Sequence, residues 1–146
     1  MKNNKILLVE DSPDDQELIR MAFEDGHVAN EFVVVSDGVQ ALDYLFCTGQ
    51  YAERDITDVP VVILLDLKLP KVGGLEVLQK LRADPRTGMI PVVILTSSDE
   101  ESDVIASYRS GVNSYVRKPV DFNQFADAVK QLKFYWLILN EAPPIR

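Results

Sequence analysis

Several short apolar runs in this chain end on residues able to do chemistry. Leu7-Leu8-Val9 runs into Glu10-Asp11, Leu64-Leu65 into Asp66, Val93-Ile94-Leu95 into Thr96-Ser97, and the short Tyr115-Val116 is followed by Arg117 and then Lys118-Pro119. Carboxylates brought together from neighbouring strand ends repel one another unless a proton or a cation intervenes. A hard divalent ion suits them: Mg2+ prefers octahedral oxygen and is held by one or two carboxylates, waters and a phosphate oxygen. Asp11 and Asp66 would ligate it directly, the Lys68 backbone carbonyl would add a third protein oxygen, and Glu10 would act through water. Such an all-oxygen set would also accept Mn2+ or Ca2+. A phosphoryl group beside Asp66 would then bridge the ion, the Thr96 hydroxyl and the Lys118 ammonium. Aspartate can act as a nucleophile that forms an acyl phosphate, and phosphoryl transfer demands mainly positioning and charge neutralisation.

The elements that must present these residues are legible as alternating patterns. Lys5 to Val9, Glu31 to Val35, Val61 to Leu65, Pro91 to Leu95 and Ser114 to Val116 read as strands, three of them apolar almost throughout and so buried on both faces. Between them apolar residues recur with helical period: Leu18, Ile19, Ala22, Phe23; Ala41, Leu42, Leu45, Phe46; Leu75, Val77, Leu78, Leu81; Val104, Ile105, Tyr108. A last helix carries Phe122, Phe125, Val129, Leu132 and Trp136. The order predicts an α/β fold, a (βα)5 doubly wound five-stranded parallel sheet of flavodoxin-like order 2-1-3-4-5 with right-handed crossovers. Ligands of such sheets bind beyond the carboxyl ends of the strands at the switch point, between strands one and three, where the acids fall. Ser12 reads as an N-cap with Pro13 following and Asp15 as a capping-box acid, while Gly26, Gly38, Gly73-Gly74, Asp84-Pro85 and Gly111 read as turns or helix ends. The stretch Thr48 to Pro60 reads as a polar surface connection.

Composition narrows the alternatives. A chain of 146 residues, 47% hydrophobic and 26% charged, supports one core. No apolar run approaches the roughly 20 residues that span a bilayer, and no signal peptide precedes the first charges, which predicts a cytoplasmic protein without membrane contact. The net charge of −8 disfavours direct nucleic-acid binding. One His, His27, and one Cys, Cys47, leave no material for a His/Cys metal site or a Ser-His-Asp triad, and Cys47 reads as a small apolar residue in a reducing compartment.

The segments Leu7-Leu8-Val9-Glu10-Asp11-Ser12, Leu64-Leu65-Asp66-Leu67-Lys68-Leu69-Pro70 with Gly73-Gly74, Val93-Ile94-Leu95-Thr96-Ser97 and Tyr115-Val116-Arg117-Lys118-Pro119 resemble the receiver domain of two-component response regulators, over residues 4 to 130. The resemblance implies Asp66 as phosphoacceptor, Glu10 and Asp11 as the acidic metal pair, Thr96 as the sensor of the phosphoryl group, Lys118 as its counter-ion and Ser97 as a small neighbour in the phosphoryl-binding set. It further implies Tyr115 as the aromatic switch and a cis peptide between Lys118 and Pro119. The implied activity is a phosphoacceptor switch with intrinsic autophosphorylation and autodephosphorylation, not a turnover enzyme, with a sensor histidine kinase as partner. Lys68 and Ser98 depart from residues common in the family at their positions, and the Lys68 ammonium is a candidate modulator of acyl-phosphate lifetime.

Residues 1–131 read as the receiver domain and 132–146 as a helix extension and tail with no output domain. The run Phe134-Tyr135-Trp136-Leu137-Ile138-Leu139 surrounds its helix axis with apolar side chains, only part of which can reach the sheet. That pattern predicts a homodimer through Phe134, Tyr135, Trp136 and Ile138, the alternative being a tail folded back over its own domain. The tail and the expanded 48–60 loop also resemble the single-domain regulators that pair with phytochrome histidine kinases. Three rivals are weighed. A haloacid-dehalogenase-like phosphatase would need an acid two residues after its nucleophile, where Lys68 stands; an FMN carrier would meet a repulsive acidic first loop; a phosphorylation-dead interaction module would not need the intact set.

Overall fold

The chain lays five parallel strands side by side in the order β2-β1-β3-β4-β5. They are β1 (Lys5–Val9), β2 (Glu31–Val35), β3 (Val62–Asp66), β4 (Val92–Thr96) and β5 (Ser114–Arg117), with helices α1 (Pro13–Asp25), α2 (Gly38–Phe46) and α3 (Gly74–Ala83) in the crossovers. The computed structural model describes residues 5–25, 30–96, 106, 109, 114–117 and 121–127, with backbone alone at 96 and 114–117. Residues 106, 109 and 122–127 are helical. Val104, Ile105, Tyr108, Val129, Leu132 and Trp136 lie outside the described residues, as do Gly26, His27 and Gly111. The predicted order stands. The third and fourth strands each sit one residue later than the sequence suggests, because the ladder β3 makes with β4 includes Asp66, opposite Leu95.

Alternation along the strands sorts the core into two layers. Leu7, Val9, Ile63, Leu65, Val92 and Ile94 face α2 and α3, against Ala41, Tyr44, Leu45, Val77, Leu78 and Leu81. Ile6, Leu8, Val62, Leu64, Val93 and Leu95 face α1 and the 122–127 helix, against Ile19, Ala22, Phe23, Phe125 and Ala126. Strands covered on both faces read as unbroken apolar runs, as these do.

Local chemistry fixes the helix ends. Ser12 caps α1, its Oγ accepting the Asp15 N–H at 3.3 Å. The Ser12 N–H itself donates to Glu10 Oε2 at 3.1 Å, taking the bond a capping box would give to Asp15. Asp37 caps α2 through the Gln40 N–H at 2.8 Å, and Cys47 closes it at φ 57°. Beyond α3, the buried Thr87 hydroxyl donates to the Leu81 carbonyl at 2.5 Å, and Arg82 reaches the carbonyls of Gly88 and Ile90 at 3.0 and 2.7 Å. Burial holds the Arg82 guanidinium below its ordinary pKa. Thr87→Val keeps the shape and strands that carbonyl, so a loss of about 1–3 kcal/mol is expected in urea unfolding. Near-wild-type stability would show that the bond contributes nothing net.

The 48–60 stretch is more organised than a polar connection need be. It contains a 3₁₀ turn, Gly49–Tyr51, and Arg54 stacks 3.8 Å from the Tyr44 ring centroid. The same guanidinium donates to the Tyr44 carbonyl, to the Asp58 carbonyl at 2.5 Å and to Cys47 Sγ at 3.2 Å. Cys47 is therefore a half-buried acceptor as well as a small apolar residue. Lys5 Nζ meets Asp58 at 2.5 Å, which raises the lysine pKa, and the Val61 N–H donates to the Lys5 carbonyl. All of this lies at the amino edge of the sheet, opposite the acids. In the turn after α3, Arg86 donates to Asp84 through Nη2 at 2.7 Å and Nε at 3.0 Å. These bonds, with the Arg86 backbone N–H, lower the Asp84 pKa from 3.8 to about 2. A depressed carboxylate stabilises the fold above its unfolded pKa and ceases to do so as pH falls through its folded value. NMR titration should find the Asp84 midpoint near 2 and find it moving up toward the ordinary value in Arg86→Ala; an unmoved midpoint would reject the assignment.

Candidate functional site

The register sets the carboxyl ends level. Val9 pairs with Leu65, so the next residues, Glu10 and Asp66, stand side by side, and both continue the alternation of the layer facing α1. Glu10 extends the β1 ladder, its N–H donating to the Val35 carbonyl at 3.0 Å. Its carbonyl accepts from Gln16 Nε2 at 2.5 Å, and its side chain is 0% exposed. Asp66 is 4% exposed, and its Oδ1 accepts the Lys68 N–H at 3.0 Å. Asp11, one residue beyond Glu10, is exposed. One oxygen from each of Glu10, Asp11 and Asp66 lies within 4.8 Å of the others.

The geometry of these three is the one that the sequence predicts. Carboxylates so close and partly out of water repel one another, and a positive charge placed among them relieves that repulsion. The donors are all hard oxygens, with one group accessible and two buried, which fits a small divalent cation that keeps water on its open side. The loop after β3 turns back over the site: the Leu67 N–H donates to the Leu95 carbonyl at 3.1 Å and the Gly74 N–H to the Leu67 carbonyl at 3.0 Å. At Gly74 a Cβ would lie 2.2 Å from the Asp66 carbonyl oxygen, so α3 starts directly against the acid's own backbone. Lys68 is exposed.

The remaining predicted residues are placed less completely. Thr96 ends β4 opposite Arg117, in the strand beside Asp66, and Tyr115 sits in β5 opposite Ile94. Ser97, Ser98, Lys118 and Pro119 lie outside the described residues, as do Phe134, Tyr135, Trp136 and Ile138. No helix among the described residues is long and apolar enough to cross a membrane. The sequence reading overlooked Asp37 and Lys71. Lys71 has φ 69°, and its Nζ lies 3.5 Å from the buried carboxylate of Asp37.

A doubly wound parallel sheet with three acids gathered at its switch point defines an α/β protein with an acidic site suited to a divalent cation. The chain belongs to the response regulator receiver domain family, whose model matches residues 6–130. It is 39% identical to the response regulator Rcp1 of Synechocystis sp. over 132 residues, 90% of this chain and 88% of that protein. Among solved structures it is similar to the bacteriophytochrome response regulator RtBRR, with 55% identity, a TM-score of 0.80, and 99% of this chain and 86% of that one covered. It is similar also to the phosphorylated cyanobacterial phytochrome response regulator RcpA, with 41% identity, a TM-score of 0.81 and coverage of 92% and 94%. The Mn2+-bound form of a response regulator Rcp1 matches at 36% identity and a TM-score of 0.80, over 98% and 97% of the two chains. The chain thus closely resembles the phytochrome-associated response regulators.

Proposed function

We propose that this protein is a cytoplasmic phosphoaspartate switch that takes a phosphoryl group from a phosphohistidine on a separate sensor histidine kinase of the phytochrome type. The observation that carries this reading is the convergence of Glu10, Asp11 and Asp66 within 4.8 Å at the sheet's switch point. In the transfer, a carboxylate oxygen of Asp66 attacks phosphorus, a P–O bond forms as the P–N bond to the kinase imidazole breaks, and an acyl phosphate results. The chain's part is to hold the carboxylate rigid: the Lys68 N–H on Oδ1 and Gly74 packed against the Asp66 backbone fix it before reaction. Mg2+ held by Asp11, Asp66 and the Lys68 carbonyl, with Glu10 acting through water, would neutralise charge on the transferring group; the metal-bound relative supports a divalent ion there. The Thr96 hydroxyl and the Lys118 ammonium would receive the remaining phosphoryl oxygens beside Ser97, and Tyr115 would follow Thr96 inward.

Residues 1–131 serve as the receiver and 132–146 as an extension through which Phe134, Tyr135, Trp136 and Ile138 form a homodimer. The net charge of −8 disfavours DNA as a direct partner, so this domain signals through protein surfaces. The protein incubated with acetyl phosphate and Mg2+ should gain one phosphoryl group by intact mass, and Asp66→Asn should gain none; equal uptake by both would defeat the reading. Analytical ultracentrifugation should show Phe134→Lys combined with Trp136→Glu as a monomer, and a monomeric wild type at high micromolar concentration would sink the dimer.

A further inference from the structure

The loop that carries Lys68 is anchored at its near end by Asp66, Leu95 and Gly74, yet its far half, residues 70–72, rests on a different element. The Gly38 N–H, at the first residue of α2, donates to the Pro70 carbonyl at 3.3 Å. A Cβ at Gly38 would lie 1.9 Å from the Val72 carbonyl oxygen, 2.6 Å from its carbon and 2.7 Å from Val72 Cβ. Those obstacles are mostly backbone, so an alanine there must push the loop away. Beside it, Lys71 holds φ 69°, a left-handed conformation that costs a non-glycine residue on the order of 1 kcal/mol and persists only when its surroundings impose it. Its ammonium lies 3.5 Å from Asp37 Oδ2, while Asp37 Oδ1 caps α2 on the Gln40 N–H. Asp37 is 6% exposed.

We propose that Gly38, with Asp37 beside it, is a positioning residue for the cation and phosphoryl site: the missing side chain lets the 67–72 loop seat on α2 and so sets where the Lys68 carbonyl stands relative to Asp11 and Asp66. The inference rests on the proposed reading of the acidic site and adds to it a residue that touches neither ion nor phosphoryl group. By linkage, whatever displaces the start of α2 changes cation affinity, and cation binding steadies the start of α2 to the same degree.

The test is calorimetric titration of the full chain with Mg2+ alone, beside urea unfolding in EDTA. Gly38→Ala should raise the Mg2+ dissociation constant about tenfold, while phosphoryl uptake from acetyl phosphate recovers at saturating Mg2+. Thr87→Val, on the far side of α3, should lose stability with its Mg2+ affinity unchanged, which separates positioning from general loosening. Asp37→Ser keeps a helix cap but loses the Lys71 partner and should weaken Mg2+ two- to threefold; should Gly38→Ala not fold, this variant and Lys71→Ala decide the matter. Wild-type Mg2+ affinity in a folded Gly38→Ala, or an equal loss in Thr87→Val, or wild-type affinity in both Asp37→Ser and Lys71→Ala would overturn the positioning role. A wild-type protein that binds no Mg2+ at all would instead overturn the reading of the site on which the role rests.

Discussion

Asp11→Asn is expected to make the metal-free protein more stable and at the same time to cost it at least tenfold in Mg2+ affinity. Both effects come from one charge. Two carboxylate oxygens within 4.8 Å repel by about 1 kcal/mol in water and about 3 kcal/mol at an effective dielectric of 20. Asp11 is exposed while Glu10 and Asp66 are buried. Its removal therefore relieves repulsion on two partners without emptying any packed space, and urea unfolding in EDTA should gain about 1–3 kcal/mol. With Mg2+ added the order reverses, since the wild type gains by binding and the variant does not. Glu10→Gln should behave differently, because Glu10 Oε2 also accepts the Ser12 N–H at the start of α1, and an amide placed there keeps the bond only if its oxygen turns inward. An Asp11→Asn protein less stable than wild type in EDTA would mean that the acids are held by structure and not strained against one another, and the cation would lose its physical reason.

Much of this was readable from residue types because the fold writes its layers into the strands. Leu7, Leu8 and Val9, or Ile63, Leu64 and Leu65, can be apolar without a break only where both sheet faces are covered. That condition, with helices between, leaves the doubly wound order and puts Glu10, Asp11 and Asp66 on one edge. The acids were legible for a second reason: a buried carboxylate is costly, so acids directly after buried strands signal a ligand more strongly than acids elsewhere.

What escaped the sequence depends on contacts between segments distant along the chain. Arg54 could not be matched to the Tyr44 ring, the Asp58 carbonyl and Cys47 Sγ from spacing alone. Gly38 after Asp37 reads as a turn, and it proves instead to be the first residue of α2, glycine because Val72 occupies the place of its side chain. The capping-box reading of Asp15 missed for a related reason: Glu10, two residues before Ser12, already reaches the Ser12 N–H. Pattern finds periodicity, and these residues are set by approach.

Phe23→Ala should be the most damaging single truncation in the layer that faces α1, with a loss of about 3–5 kcal/mol. Phe23 is 1% exposed and packs edge-to-face on Phe32 with centroids 5.0 Å apart and at 6.0 Å from Phe125. It thereby joins α1 to β2 and to the 122–127 helix, three elements with no other covalent tie than the chain. A domain of this size has only about 5–15 kcal/mol of net stability, so the variant should unfold at much lower urea while remaining folded in buffer. The acids stand at the other end of α1, and their spacing is set by the β1 and β3 ladders, not by Phe23. Mg2+ should therefore restore stability to Phe23→Ala by the same increment as to the wild type, about 2.7 kcal/mol at a hundred times its dissociation constant. A variant that loses stability but responds to Mg2+ like the wild type would show the site to be carried by the sheet edge, with the helix layer supplying cohesion. An increment markedly smaller than the wild type's would show instead that α1 must be locked against β2 before Glu10 and Asp11 can hold an ion.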